Sequence, residues 1–437
     1  MPASFPVDLA NHVHQQLASR EKHPPSVKVL TKLFETLYFA SLNREETQPI
    51  SCRIAFIDRK RPDPKPPGGI ISNRWRAFPL DNDLLLTVRL LVKLSTAVDP
   101  WASTLAVDAD SKGELRIWGL IDQSVHYSTF VMKETSTGPE MPGMFQALIQ
   151  GIGEIAVYKA YILLGSLKQD SLIKSQLRAL QSGPVHSKLL TSVRKFQQQV
   201  RKEVGKELYH QRKQHWDESL EENWISAICR VLIGIHQYRH GGAVLISDED
   251  TGLNPKYSLN YDRLADALFR ASAHTIRNAT YSDLIQDKYV DEGADGIPTG
   301  LYLDESNSSW ELNETTDELT GCVRLLASLS RVDGLIWLDS RLRLKGFGVE
   351  IRVQKEPARV VVAQNSTATI AKKLSLNQYG TRHRSMIRYC ASHPDSIGFV
   401  VSQDGDVRAI THSDGRVVLW DNIRIQSLRN ARALPSE

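Results

Sequence analysis

Three short stretches in the last third of the chain carry side chains able to do chemistry. In "SRVDGLIWL", Asp333 and Gly334 open a hydrophobic run. A carboxylate there can hold a divalent cation or take a proton from a hydroxyl, and a glycine lets a ligand approach the backbone closely. Read alone, the pair is equally an ordinary Asp-Gly turn. In "YGTRHRSM", Gly380 offers an approachable amide, Thr381 a hydroxyl, Arg382 a bidentate fork and His383 a neutral or charged imidazole, with Arg384 beside them. That set suits a phosphate, and a solvated basic turn is the competing account. In "FVVSQDGDV", Ser402, Gln403, Asp404 and Asp406 leave the end of an apolar run. Polar groups so placed line crevices in α/β sheets, and a hairpin turn explains them as well.

Other motifs point elsewhere or nowhere. His236 and His240 in "HQYRH" stand four apart, but no carboxylate lies beside them and a structural role is the simpler account. No Walker A loop, GxGxxG, GxSxG or HExxH occurs, which disfavours several common enzyme classes. The basic stretch "RKRPDPKPPGG", Arg59 to Gly69, has the prolines and glycines of a solvated extended loop.

The elements that must position these residues follow from hydrophobic spacing. In the first third, "SVKVLTKLFETLYFASL" sets Val29, Leu30, Leu33, Phe34 and Leu37 at helical spacing. "CRIAFID" alternates as a strand, and "TLAVDADSKGELRIWGLID" reads as a hairpin about Ser-Lys-Gly. From Leu167 to Arg239 the pattern predicts helix. Within it Lys188 to Trp216 forms one connecting helix with the stripe Leu189, Val193, Phe196, Val200, Val204 and Leu208. Its basic face reads as solvated, with nucleic acid as a lesser alternative. Beyond lie a buried helix in "WISAICRVLIGIHQ", a strand in "GAVLIS", and helices in "YDRLADALFRASAH" and "TTDELTGCVRLLASLS", the last capped near "NETTDE". Two strand pairs complete the pattern: "DGLIWLD" with "FGVEIRV", and "SIGFVVSQ" with "RVVLWD".

Helices alternating with short apolar strands predict an α/β C-terminal half, a mixed sheet flanked by helices. An α+β domain and a long connecting helix precede it. The expected organisation is an N-terminal domain over 1–165, a helical connector over 166–223, an α/β domain over 224–425 and a tail over 426–437. With 437 residues, 41% of them hydrophobic and 24% charged, the chain is globular in composition and long enough for two or three cores. Its 54 basic and 50 acidic residues are too balanced for wholesale coating of nucleic acid, so any anion site is local. Cys52, Cys229, Cys322 and Cys390 form no CxxC pair, and two sit in apolar runs, which predicts free buried thiols. No secretory leader and no apolar run of eighteen residues is present, so a cytoplasmic protein without membrane contact is expected.

The order "GGAVLIS", "DGLIWLD", "LKGFGVEI", "GTRHR" running into a helix, then "FVVSQDG" resembles the diadenylate cyclase family over roughly Trp224 to Trp420. That family carries a "DGA" motif, a "(G)TRHR" motif and a "VSEE"-like strand end. The second is matched in full; "DGL" and "VSQD" stand in for the others, with Leu335 in place of a methyl and Gln403 in place of a carboxylate. The resemblance implies that Asp333 sits near an attacking ribose hydroxyl and its metal. Gly334 and Leu335 would lie against the nucleotide. Gly380, Thr381, Arg382 and His383 would grip the triphosphate, assisted by Arg384. Ser402 would hydrogen-bond the nucleotide, and Asp404 would help hold Mg²⁺ or Mn²⁺. The N-terminal half, with "LYFASL" and "LRIWGLID", is similar to an extension of divergent proteins of this type regarded as probable nucleotide sensors in bacterial signalling or defence.

Two functions are therefore expected in competition. One is a divergent diadenylate cyclase condensing two ATP into cyclic di-AMP with release of pyrophosphate. Because one site holds one ATP, that reaction requires two copies face to face, a homodimer or larger assembly. The other is a catalytically inactive sensor that binds ATP or a related nucleotide.

Overall fold

The structure is a computed structural model and describes residues 3–19, 23–59, 76–98, 103–122, 145–159, 162–238, 240–402 and 406–425. The chain divides into two compact units, one within Met1–Gln176 and one within Leu177–Arg429. Each combines a mixed sheet with helices, the first as the α+β domain and the second as the α/β domain that the apolar periodicity predicts. No helix among the described residues is long and apolar enough to cross a membrane.

The first unit comprises α1 (Pro6–Ala18), α2 (Val27–Ser41), the short ladder of β1 (Arg44–Glu45) with β2 (Gln48–Pro49), β3 (Cys52–Phe56), β4 (Arg76–Leu85) and α3 (Val88–Ser95). There follow β5 (Ser103–Ala109), β6 (Leu115–Asp122), β7 (Phe145–Gly151), β8 (Glu154–Lys159), β9 (Ile162–Lys168) and β10 (Ser171–Ile173). Its eight-stranded sheet has the order β10-β9-β8-β7-β3-β5-β6-β4. The Ser26 hydroxyl caps α2 by accepting from the Val29 amide at 3.3 Å. The α2 stripe of Leu30, Leu33, Phe34 and Leu37 then packs on alternate strand residues, among them Cys52, Ile54, Leu105 and Val107. The predicted hairpin is present as β5 and β6, which pair antiparallel. Through the period-2 alternation Ala55, Ala106 and Trp118 fall in a separate apolar cluster. Buried Arg53 donates from Nη1 to Gln146 Oε1 at 3.1 Å.

The second unit comprises α4 (Pro184–Val204), α5 (Lys206–Gln211), α6 (Lys213–Gln237), β11 (Gly242–Ile246), β12 (Leu253–Tyr261), α7 (Arg263–Ile285), α8 (Thr299–Leu329), β13 (Leu335–Leu338) and β14 (Leu344–Ile351). It continues with β15 (Val360–Ala363), β16 (Ala371–Lys373), α9 (Thr381–Ser392), β17 (Ile397–Val401), β18 (Val407–Ser413) and β19 (Arg416–Trp420). The nine-stranded sheet runs β12-β14-β13-β11-β17-β18-β19-β15-β16. Its central strands bury both faces. Val244 and Ile246 join the core built with α4, α6, α7 and α8, while Ala243 and Leu245 join Met386, Ile387 and Tyr389 of α9 on the other side. Apolar runs without alternation, such as "GAVLI" and "LIWL", are what a strand covered on both faces requires.

Several elements differ from their sequence reading. The region from Leu167 does not begin as helix: β9 and β10 pair there, and helix starts only at Pro184, behind Gly183 at φ +88°. The predicted single helix from Lys188 is interrupted at Gly205, whose φ of +90° no helix accommodates. Its stripe from Leu189 to Val204 is buried in the second unit's own core, together with Tyr209 where Leu208 was expected. Lys188 is not part of a solvated basic face, since its ammonium donates to Thr411 Oγ1 at 2.7 Å, to His412 O at 2.6 Å and to Pro394 O. The capping signature at "NETTDE" lies inside α8, where the Thr315 and Thr316 hydroxyls bond back to carbonyls of Glu311 and Leu312. "SIGFVVSQ" and "RVVLWD" are not neighbours, because β18 stands between them and pairs with both. The four cysteines are free and buried, as expected.

Candidate functional site

Sheet register decides which of the candidate residues can meet. Strand β13 runs parallel to β11, matching Val244 with Ile336, so Asp333 and Gly334 fall at the Gly242 end of β11. Strand β17 is antiparallel to β11 with Gly242 opposite Val401, and β18 is antiparallel to β17 with Val401 opposite Val407. The end of β17 at Ser402 and the start of β18 therefore share one rim of the sheet with Asp333. Only β11 separates β13 from β17, so these strand ends are about 10 Å apart at ordinary sheet spacing. Helix α9 brings "TRHR" to the same rim, because His383 Nε2 lies 3.3 Å from Arg408 Nη1 at the start of β18.

Gly380 is the N-cap of α9 and makes no side-chain cap. Its carbonyl accepts the Arg384 amide at 3.2 Å, the first bond of the helix, which leaves the preceding amides without an intrahelical acceptor. Such a terminus, with its partial positive charge, favours an anion. A Cβ added to Gly380 would meet nothing within 4 Å, so the approach to this amide is open. Thr381 is exposed, and Arg382 and Arg384 are half-buried. Neither guanidinium group makes a hydrogen bond or ion pair among the described residues.

His383 is the most constrained member. Burial first, then Arg408 and Arg382, push its imidazole down to about 4, so it is neutral at physiological pH. The Tyr379 ring lies against it at 5.3 Å, and the Arg408 guanidinium sits 5.9 Å from the Tyr379 centroid. Arg408 donates from Nε to Asp421 Oδ1 at 2.6 Å and is 3.8 Å from Asp406. Burial, and then the Asp421 carboxylate, push the Tyr379 phenol up to about 12. Arg408 and Asp421 carry no motif, and only the antiparallel pairing of β17, β18 and β19 brings them to His383.

The remaining candidates are placed less openly. Asp333 is exposed. Gly334 has φ +119°, and a Cβ there would lie 2.3 Å from the Gly348 carbonyl carbon, so close approach of β14 already demands glycine. The Leu335 side chain is buried among Val349, Met386 and Ile387, which leaves only its backbone for a ligand. The Ser402 hydroxyl accepts from the Asp406 amide at 3.1 Å and donates to the Asp406 carbonyl at 3.2 Å. Gln403 and Asp404 lie outside the described residues. Among the described residues no group of three His, Cys, Asp or Glu side chains is arranged to hold a metal ion.

The rim of the second unit thus brings together a glycine-capped helix start, two guanidinium groups without a hydrogen-bond partner among the described residues, and a neutral imidazole. Comparison with known families bears on the other unit. Residues 19–122 match the family model described as probable sensor domain DACNV, a stretch within the first unit that covers well under half of the chain. No curated protein matches the chain. The stretch similar to that probable sensor domain therefore precedes the unit that carries the "GTRHR" motif.

Proposed function

We propose that the second unit binds a nucleotide polyphosphate at the rim formed by α9 and the ends of β13, β17 and β18, and that the first unit is the sensor coupled to it. One observation carries this reading: Arg382 and Arg384 stand without a protein partner among the described residues, beside the open Gly380 amide. Phosphates would take the helix amides, the Thr381 hydroxyl and the Arg382 fork, while the nucleoside would extend along the rim toward Gly334. A charge-assisted hydrogen bond contributes about 1.5–3 kcal/mol. Arg382→Ala should thus weaken ATP binding, measured by calorimetry, on the order of 10- to 150-fold. Unchanged affinity in Arg382→Ala and Gly380→Ala would remove the reading.

A second reading is favoured by the position of Asp333 on the same rim. There it would receive the proton of an attacking 3′-hydroxyl as that oxygen closes on the α-phosphorus of an ATP held by a facing copy, and pyrophosphate departs. Two such attacks yield cyclic di-AMP, which demands a head-to-head dimer. Mg²⁺ ordinarily takes one or two carboxylates plus substrate phosphates, so Asp333 fits as its one described protein ligand, provided the nucleotide completes the shell. When bound, the ion would neutralise charge on the phosphates; the chain's own cations would align them. Incubation with ATP and Mn²⁺ or Mg²⁺ tests this reading, with cyclic di-AMP and pyrophosphate as readouts. Product from the wild type and none from Asp333→Asn supports turnover. ATP bound without product at any protein concentration leaves the inactive sensor.

A further inference from the structure

We propose that Arg408, anchored by Asp421, is the positioning residue of this rim, fixing His383 in the tautomer that presents Nδ1–H as a hydrogen-bond donor to the ligand's phosphate. The inference deepens the nucleotide reading and rests on it for the identity of the acceptor. Its geometry stands apart from that reading. A guanidinium has only donors, so the 3.3 Å contact between Arg408 Nη1 and His383 Nε2 requires a lone pair on Nε2. The ring proton must then sit on Nδ1. Among the described residues Nδ1 has no hydrogen-bond acceptor, which leaves that proton for a ligand.

Arg408 is itself held from two sides. Asp421 accepts its Nε–H at 2.6 Å, Asp406 lies at 3.8 Å, and the Tyr379 ring faces it. The charged and titratable groups around His383 are therefore Arg382 on its own helix, Tyr379 before it, Asp406 and Arg408 at the start of β18, and Asp421 after β19. An imidazolium at this position would face two guanidinium groups and lose its bond to Arg408. The consequence is a division of labour: the arginines carry the charge toward the phosphates, and the histidine contributes direction alone.

The experiment is nitrogen-15 NMR of histidine-labelled full-length protein, with the His383 signals assigned by their loss in His383→Asn. The wild type should show a neutral ring protonated on Nδ1 from pH 5.5 to 8. In Arg408→Gln, whose amide can donate to or accept from Nε2, the ring should populate both tautomers, and Arg408→Lys, again only a donor, should restore the wild-type pattern. A wild-type proton on Nε2, a wild-type cation at pH 6, or an Arg408→Gln protein with unchanged ring signals would each overturn the assignment. If Arg408→Gln does not fold, the wild-type spectrum and Asp421→Asn decide. ATP binding is read separately. If ATP binds without moving the Nδ1–H signal, the positioning role fails while the nucleotide reading survives. If ATP does not bind at all, the nucleotide reading fails, and with it the acceptor named here.

Discussion

The glycine of the Asp-Gly pair separates what the fold requires from what a ligand would require. Gly334 sits at φ +119°, and an added Cβ would lie 2.3 Å from Gly348 C, 2.6 Å from Gly348 Cα and 2.7 Å from Val349 N. All three are backbone atoms of a paired strand, which cannot swing aside as a side-chain tip can. Gly334→Ala thus adds a strained backbone, about 1–3 kcal/mol, to an overpacked contact of about 1–3 kcal/mol. A sum near 4 kcal/mol lowers the melting temperature of a unit this size by about 8–16 °C. The comparator is Gly380→Ala. At φ −66° with nothing within 4 Å of the new Cβ, it should shift melting by less than about 2 °C. Calorimetric melting of the full chain, following the transition of the second unit, reads both. A Gly334→Ala protein that melts with the wild type would refute the close approach of β14, and the glycine would then need a ligand to explain it. A large loss in Gly380→Ala would show that this cap is structural rather than open.

Other outcomes follow from the same contacts. Because the His383 pKa is depressed to about 4, the unfolded chain binds more protons between pH 6.5 and 4. Its contribution to stability is complete above pH 6.5 and is lost as pH falls toward 4, and His383→Asn should flatten that limb in urea titrations. Lys188→Met strands the acceptors Pro394 O, Thr411 Oγ1 and His412 O, and should cost about 2–4 kcal/mol in the same assay. Burial pushes the thiols of Cys52 and Cys229 up to about 12 and that of Cys390 up to about 11, and Cys322 is also raised by burial. A thiol reagent at pH 8 should find none reactive in the native protein and all four after denaturation.

Much of this was legible in the chain. Apolar runs mark β11, β13, β17 and β19 because strands buried on both faces need no alternation. Gly380 followed by "TRHR" and an apolar stripe of Met386, Ile387 and Cys390 announces a glycine-capped basic helix start, since both features are local. What failed was local competition overridden by the rest of the fold. "NETTDE" is a good cap until α8 and α7 pack side by side and carry the helix through it. Strand β18, with Arg408 and His412 between its apolar residues, is not among the strands read from the sequence; its pairing with β17 and β19 reveals it.

The sequence by itself determined the α+β class of the first unit and the α/β class of the second, the buried thiols and the basic start of α9, because each depends on residues within one or two turns or one strand. Tertiary structure alone decided that Gly334 answers to Gly348, that Leu335 belongs to the core, and that Arg408 and Asp421 hold His383. Those contacts join residues from 13 to 52 positions apart, counting 421 − 408 and 387 − 335. Only strand register sets such distances, and no local propensity encodes it.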